Sequence, residues 1–229
     1  MPDASEMHPN QCEAGSSRRS PVIRGVGGFT LVELLTVLAV LGILLALLFP
    51  TVRAARVSAN KAKTRVHFNQ WAAAIETFRQ EYGHYPAFHS SNLVNGGAVS
   101  DPSSEHIFHD VLTARRRNGV ALTAADNTGP ASAAGQNRKL IPFHSFSESE
   151  VNALGLIRDA FDSTEIAVLT DRNLDGLINA ADYGTLPLVG GIRPGAADIP
   201  ATGIRAGAIF YAPAPGATTE NPDFIFSWK

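Results

Sequence analysis

Oxygen-bearing side chains recur at alternate positions in Asp171, Asn173 and Asp175, a glycine follows at Gly176, and the pattern resumes at Asn179 and Asp182. Such a run can wrap one hard cation. Asp171, Asn173 and Asp175 supply side-chain oxygens, Gly176 permits the sharp turn, Leu177 offers its carbonyl, Asn179 acts directly or through water, and Asp182 closes the loop. Calcium needs this convergence of oxygens, whereas magnesium prefers a smaller, water-rich octahedron. The spacing therefore predicts a structural calcium site. A plain Asp-Gly turn between strands is the alternative, but it leaves the oxygen side chains at Asp171, Asn173, Asn179 and Asp182 without a reason. Asp182 stands where the template has a longer glutamate, and Glu165 to Thr170 ahead of the loop reads as a strand, so a calcium loop outside a helix-loop-helix is expected.

A second chemical signal is Glu33, the lone ionisable side chain between Phe29 and Val52. A helix of about 24 residues at ~1.5 Å per residue covers a ~30 Å hydrocarbon layer. Leu34, Leu35, Leu38, Val40, Leu41 and the run from Ile43 to Phe49 make it apolar all round, where a buried helix of a soluble protein expects one stripe. A secretory signal would place its small residues after the apolar run. Here Gly27 and Gly28 precede it, behind a polar leader carrying Arg18, Arg19 and Arg24. A cut after Gly28 would leave the membrane helix on the product and create an amine at Phe29. A carboxylate in hydrocarbon costs at least ~2.5 kcal/mol and calls for a positive partner, unless it snorkels to the interface.

The run Gly28-Phe29-Thr30-Leu31-Val32-Glu33-Leu34 followed by an apolar helix resembles the processing site of type IV pilins and type II secretion pseudopilins. The resemblance implies that a prepilin peptidase cuts between Gly28 and Phe29 and methylates the new amine, and that Glu33 pairs with the amine of a neighbouring subunit during filament growth. It also implies an α+β fold, with a long amino-terminal helix, half transmembrane and half amphipathic, packed on a small antiparallel sheet. The expected layout is a leader over 1–28, a transmembrane and assembly helix over 29–52, its amphipathic continuation over 53–86, and a periplasmic head over 87–229 holding the loop 171–182. Expected partners are the peptidase, other pilin or pseudopilin subunits and an inner-membrane assembly platform. Tyr82-Gly83-His84-Tyr85-Pro86 resembles the helix end of major pseudopilins, so a subunit of a type II secretion pseudopilus is the leading expectation. A type IV pilin and a solitary membrane-tethered calcium module are the alternatives. The calcium loop also resembles that of dockerins, which carry two such repeats where this chain has one.

Around these signals the elements follow from periodicity. Phe68, Trp71, Ile75, Phe78 and Tyr82 recur at steps of three and four, which predicts a helix stripe seeking a partner surface, ended by Gly83 and Pro86. Pro50 falls late in the apolar segment, where it can kink the helix. Asp101-Pro102 predicts a helix start with Ile107, Phe108, Val111 and Leu112 as its buried side, running to about Arg117. On it His106 and His109 read as a solvated face, and Arg115 to Arg117 as cations at a helix end rather than a nucleic-acid patch. Ser147 to Glu150 is a capping-box pattern that predicts another short helix. Ala87 to Ser100 and Val120 to Lys139 read as loops, and Ile204 to Tyr211 and Phe224 to Trp228 as an antiparallel pair. Asp159-Ala160-Phe161-Asp162 falls where pseudopilins often carry an Asp-x-aromatic-Gly turn, with Asp162 in place of the glycine.

Composition narrows the classes. Nineteen Lys plus Arg against twenty-one Asp plus Glu give a net charge of −2, which argues for no nucleic-acid partner. Cys12, the single cysteine, lies in the leader, so no disulfide staples the head and a bound metal is a natural substitute. No nucleophile elbow, phosphate loop or zinc signature appears, and an enzyme is not expected. Arg53, Arg56, Lys61, Lys63 and Arg65 follow the apolar helix, so simple charge counting would keep the head in the cytoplasm. The family resemblance implies the opposite orientation.

Overall fold

The computed structural model describes residues 28–98 and 100–229. Gly27, Cys12 and the leader arginines Arg18, Arg19 and Arg24 lie outside the described residues. The chain divides into two units, residues 1–48 and 49–229. One helix, α1 (Leu31–Tyr82, 52 residues), contributes to both and has Pro50 inside it.

Phe29 and the large apolar side chains from Leu31 to Leu48 are all exposed. The amphipathic pattern begins beyond Pro50, in the second unit. There Phe68, Trp71, Ile75 and Phe78 are fully buried along one side of α1, as their spacing predicts, and Tyr82 is half-buried. Gly83, at φ +78, stops the helix in a conformation that costs a residue without a Cβ little.

The sheet is β1 (Ala167–Thr170), β2 (Ala208–Pro213) and β3 (Phe224–Phe226), antiparallel in that order. Ala167 faces Tyr211 and Tyr211 faces Phe226, which fixes the register. Alternation sends Val168, Phe210, Ala212 and Ile225 against Phe68, Trp71 and Ile75 of α1. The other side chains, Leu169, Ile209, Tyr211, Phe224 and Phe226, pack with Ile178, Val189, Ile192 and Ile199. The sheet is thus covered on both faces, which is why its strands read as continuous apolar runs. This is the α+β arrangement expected, with a long amino-terminal helix and a small antiparallel sheet.

Several local expectations change. The helix read from Asp101-Pro102 to Arg117 is shorter: α2 (Ile107–Thr113) is capped by the His106 side chain, which accepts the His109 N–H, and ended by Ala114 at φ +54. Asp101 instead holds the Ser103 backbone and hydroxyl in a turn. His106 and His109 do not form a solvated face; they are 1% and 8% exposed. His106 Nε2 meets Asn95 Oδ1 at 2.9 Å, and burial pushes its pKa down to about 3, keeping the ring neutral. His109 Nδ1 meets Asp110 Oδ1 at 2.8 Å, and Arg116 donates to Asp110 and Asp126. Arg117 donates to the Gly155 and Asp101 carbonyls, so Arg116 and Arg117 are structural ties, while Arg115 lies at the surface.

Ser147 donates its N–H and its hydroxyl to the Glu150 carboxylate, but the Glu150 N–H goes to the Ser147 carbonyl in a turn and no helix follows; Val151 bridges Ile157 instead. The segment read as a loop over 120–139 contains a 3-10 turn (Ala124–Asp126) and a buried helical turn, α3 (Ala133–Gln136). At the Asp159 turn the Asp159 carboxylate accepts the Phe161 and Ser163 N–H groups, and Asp162 takes φ +63, the left-handed conformation a glycine would hold without strain.

Candidate functional site: the amino-terminal junction and the distal loop

Gly28 and Phe29 precede α1, and a Cβ added at Gly28 would meet nothing within 4 Å. Phe29 is 81% exposed, and the helix begins two residues later at Leu31. Thr30 is its N-cap: its hydroxyl accepts the Glu33 N–H at 3.2 Å, and Glu33 Oε2 accepts the Thr30 N–H and hydroxyl, each at 3.0 Å. This reciprocal pair satisfies two amides that a helix start otherwise leaves open. Sequence reading missed the role of Thr30, although Thr-x-x-Glu is a capping-box pattern and was there to be read. Glu33 therefore does two jobs. It sets the first turn within its own chain, and as the only charged side chain of 29–52 it has no cation of its own segment to balance it.

The helix α1 is long and apolar enough to cross a membrane, and the apolar stretch is exposed throughout. An exposed, all-round apolar helix needs lipid or other helices as its surroundings. Joined to an amphipathic continuation packed on a small antiparallel sheet, it makes a pilin-like arrangement. The model of the prokaryotic N-terminal methylation motif matches residues 23–49, which include Gly28, Phe29 and Glu33. With that match and this fold, the chain fits the type IV pilin-like family, whose amino termini are processed by a prepilin peptidase and which assemble with other subunits of the same kind. No curated protein and no solved structure matches the chain.

In the distal loop, β1 delivers Asp171, whose N–H is tied to the Gly207 carbonyl at 3.0 Å. The two Asp171 oxygens accept the Asp175 and Gly176 N–H groups at 3.1 and 2.8 Å. Gly176 turns the chain at φ +83. Ile178 is buried in the outer layer of the sheet and pairs with Ile204, which anchors the middle of the loop. Asn179 then caps α4 (Ala180–Tyr183), and Asp182 reaches back to accept the N–H groups of Arg172 and Asn179, both at 2.9 Å. Asp171 and Asp182 are 2% and 4% exposed, while Asn173 and Asp175 lie at the surface.

The loop thus closes on itself, with Asp171 and Asp182 as its two pins. Among the described residues no group of three His, Cys, Asp or Glu side chains stands at metal-binding distance. The donor chemistry nonetheless fits a hard cation. Every candidate ligand from Asp171 to Asp182 is an oxygen, and a carboxylate oxygen that accepts one N–H keeps a lone pair. The one cation in the loop, Arg172, turns its guanidinium to Asn92 Oδ1 at 2.7 Å.

Proposed function

We propose that this chain is a structural subunit, a pseudopilin, of a type II secretion pseudopilus. Residues 1–28 are a leader removed by a prepilin peptidase, and Phe29 becomes the methylated first residue. The segment 29–52 anchors the subunit in the inner membrane and packs against other subunits, 53–86 continues the helix, and 87–229 forms a head on the periplasmic side. The observation that carries this reading is the exposed apolar helix with Glu33 next to the junction. Cleavage makes an amine four residues, about 6 Å along the helix, from that carboxylate, so a neighbouring chain shifted by about one turn can bring its amine to Glu33. The distal calcium loop and the helix ending at Tyr82-Gly83 favour secretion over a surface pilus. The chain does no chemistry of its own in this role; its helix and head transmit assembly.

Calcium is part of the proposal. It would sit among Asp171, Asn173, Asp175, the Leu177 carbonyl, Asn179 and Asp182, and offset the mutual repulsion of three carboxylates.

The test is Glu33→Val in cells that carry the assembly machinery. Removing the charge makes insertion easier, so membrane levels of the subunit should hold or rise. Loss of about 1.4 kcal/mol or more of subunit pairing should lower the assembled fraction about tenfold. Normal assembly by the variant would overturn the pairing mechanism.

A further inference from the structure

Between Glu33 and Glu76 the helix α1 carries no acidic residue, yet Arg53, Arg56, Lys61, Lys63 and Arg65 follow directly on the apolar run that ends at Val52. Among the described residues one of these cations is matched. Lys61 Nζ meets Asp223 Oδ2 at 3.0 Å, whereas Arg53, Arg56, Lys63 and Arg65 are exposed and their side chains form no ion pair there. Positive charge on the exported side of a membrane helix runs against the usual bias, which gathers Lys and Arg on the cytoplasmic side. Such a cluster calls for fixed negative charge close by.

Magnitudes decide which cations a membrane can supply with it. The head-group layer adds about 5–7 Å to each side of a ~30 Å hydrocarbon core. At ~1.5 Å per residue, Arg53 and Arg56 stand about 1.5 and 6 Å beyond Val52, inside that layer. Lys63 and Arg65 stand about 17 and 20 Å beyond Val52, clear of the layer by more than the ~8 Å screening length.

Arg53 and Arg56 are spaced i, i+3 and are neighbours on one helix face, so both guanidiniums can fork onto a single phosphate. Arg53 also lines an open recess of about 680 Å³ whose other walls include Phe49, Pro50, Ala54 and Val57. An apolar wall beside a guanidinium matches the division of a phospholipid into acyl chain and phosphate. A carboxylate of a second copy would meet the charge and leave that wall uncovered.

Resting on the membrane anchoring of 29–52, we infer that Arg53 and Arg56 hold the phosphate of an anionic phospholipid in the leaflet on the head's side, with an acyl chain along Phe49 and Pro50. The lipid supplies the counter-charge that the chain lacks next to its span. The contact steadies the anchored subunit and is given up when the helix leaves the bilayer.

The experiment reconstitutes the full chain, with Phe49→Trp as a reporter, into mixed vesicles of phosphatidylcholine and phosphatidylglycerol in which one or the other lipid carries bromine on its acyl chains. Bromine quenches a tryptophan that it touches, so the two series give the relative binding of each lipid at the recess, over a constant background from Trp71 and Trp228. Phosphatidylglycerol should be preferred about fivefold, and Arg53→Gln combined with Arg56→Gln should bring the ratio to about one. Lys63→Gln combined with Arg65→Gln removes the same charge and should leave the preference unchanged. Equal quenching by the two lipids, a preference that survives the loss of Arg53 and Arg56, or one that falls with Lys63 and Arg65, overturns the inference and leaves the anchor standing. Quenching that is equal for both lipids and fades as the protein-to-lipid ratio rises makes a second copy the occupant, which also overturns it. A reporter that neither lipid quenches sinks the membrane anchoring together with the inference.

Discussion

Trp71→Ala is expected to cost the head about 3–5 kcal/mol of stability, the range for removing a large buried aromatic side chain. Trp71 is fully buried and lies within 6 Å, centroid to centroid, of Phe68, Phe108, Phe146 and Phe210. Those rings come from α1, α2, the 143–150 segment and β2, so one side chain joins the helix to every layer around it. Its indole N–H also supplies one of the donors that hold Glu150 charged inside the head. Alanine would remove the packing, leave a cavity and take a donor from a buried carboxylate, and these losses act in the same direction. Trp71→Phe should recover part of the packing but not the hydrogen bond, and fall between the two. Urea unfolding of the detergent-solubilised chain, followed by far-ultraviolet dichroism, measures all three. A loss below about 1 kcal/mol for alanine would mean that the helix and sheet are not joined as described.

The second large effect concerns calcium. A ligand held at about 100 times its dissociation constant stabilises the folded state by about 2.7 kcal/mol, which in a chain of this size shifts melting by roughly 5–10 °C. Excess chelator should therefore lower the melting temperature by that amount. The informative variant is Asp175→Asn. Asp175 is exposed, and the Leu177 N–H that its Oδ1 accepts can equally be accepted by an asparagine oxygen, whereas Asp171 and Asp182 each accept two or more backbone N–H groups, and their loss would weaken the loop with or without metal. Asp175→Asn should abolish the response to calcium and leave the chelated protein as stable as before, or slightly more so, because one carboxylate of a like-charged set is gone. Equal melting temperatures for the unsubstituted chain in calcium and in chelator would remove calcium from the account.

Much of this architecture could be read from the sequence because its signals are strong in length or period. The apolar run before Pro50 exceeds what a soluble core helix needs, and Phe68 to Phe78 mark the packed side of the second half. The strands were legible in type, with one end of β1 and of β3 off by two residues and β2 displaced to Ala208–Pro213, since a doubly covered strand has no alternation to mark its ends. His106 and His109 were misplaced for a different reason. Their helix carries polar residues on the side that a distant segment covers, with the His109 ring stacked on Phe146 at 5.2 Å. Periodicity within seven residues cannot report a cover that comes from almost forty residues away. Ser147 and Glu150 show a local pattern serving another end: the Ser147 N–H and hydroxyl hold the Glu150 carboxylate, but they position it beneath Trp71 instead of starting a helix. At the junction the motif was read for its cut and its charge, while the Thr30 cap, equally present in the letters, was overlooked.

The central claim is that this chain is a processed filament subunit whose helix becomes its new amino terminus. It is tested most directly by expressing the full chain with and without a prepilin peptidase and determining the mature amino terminus by mass spectrometry. The account predicts N-methylated Phe29 with the peptidase present and an intact leader without it. A leader that persists in the presence of the peptidase, or a cut on the carboxyl side of the apolar run, would contradict it.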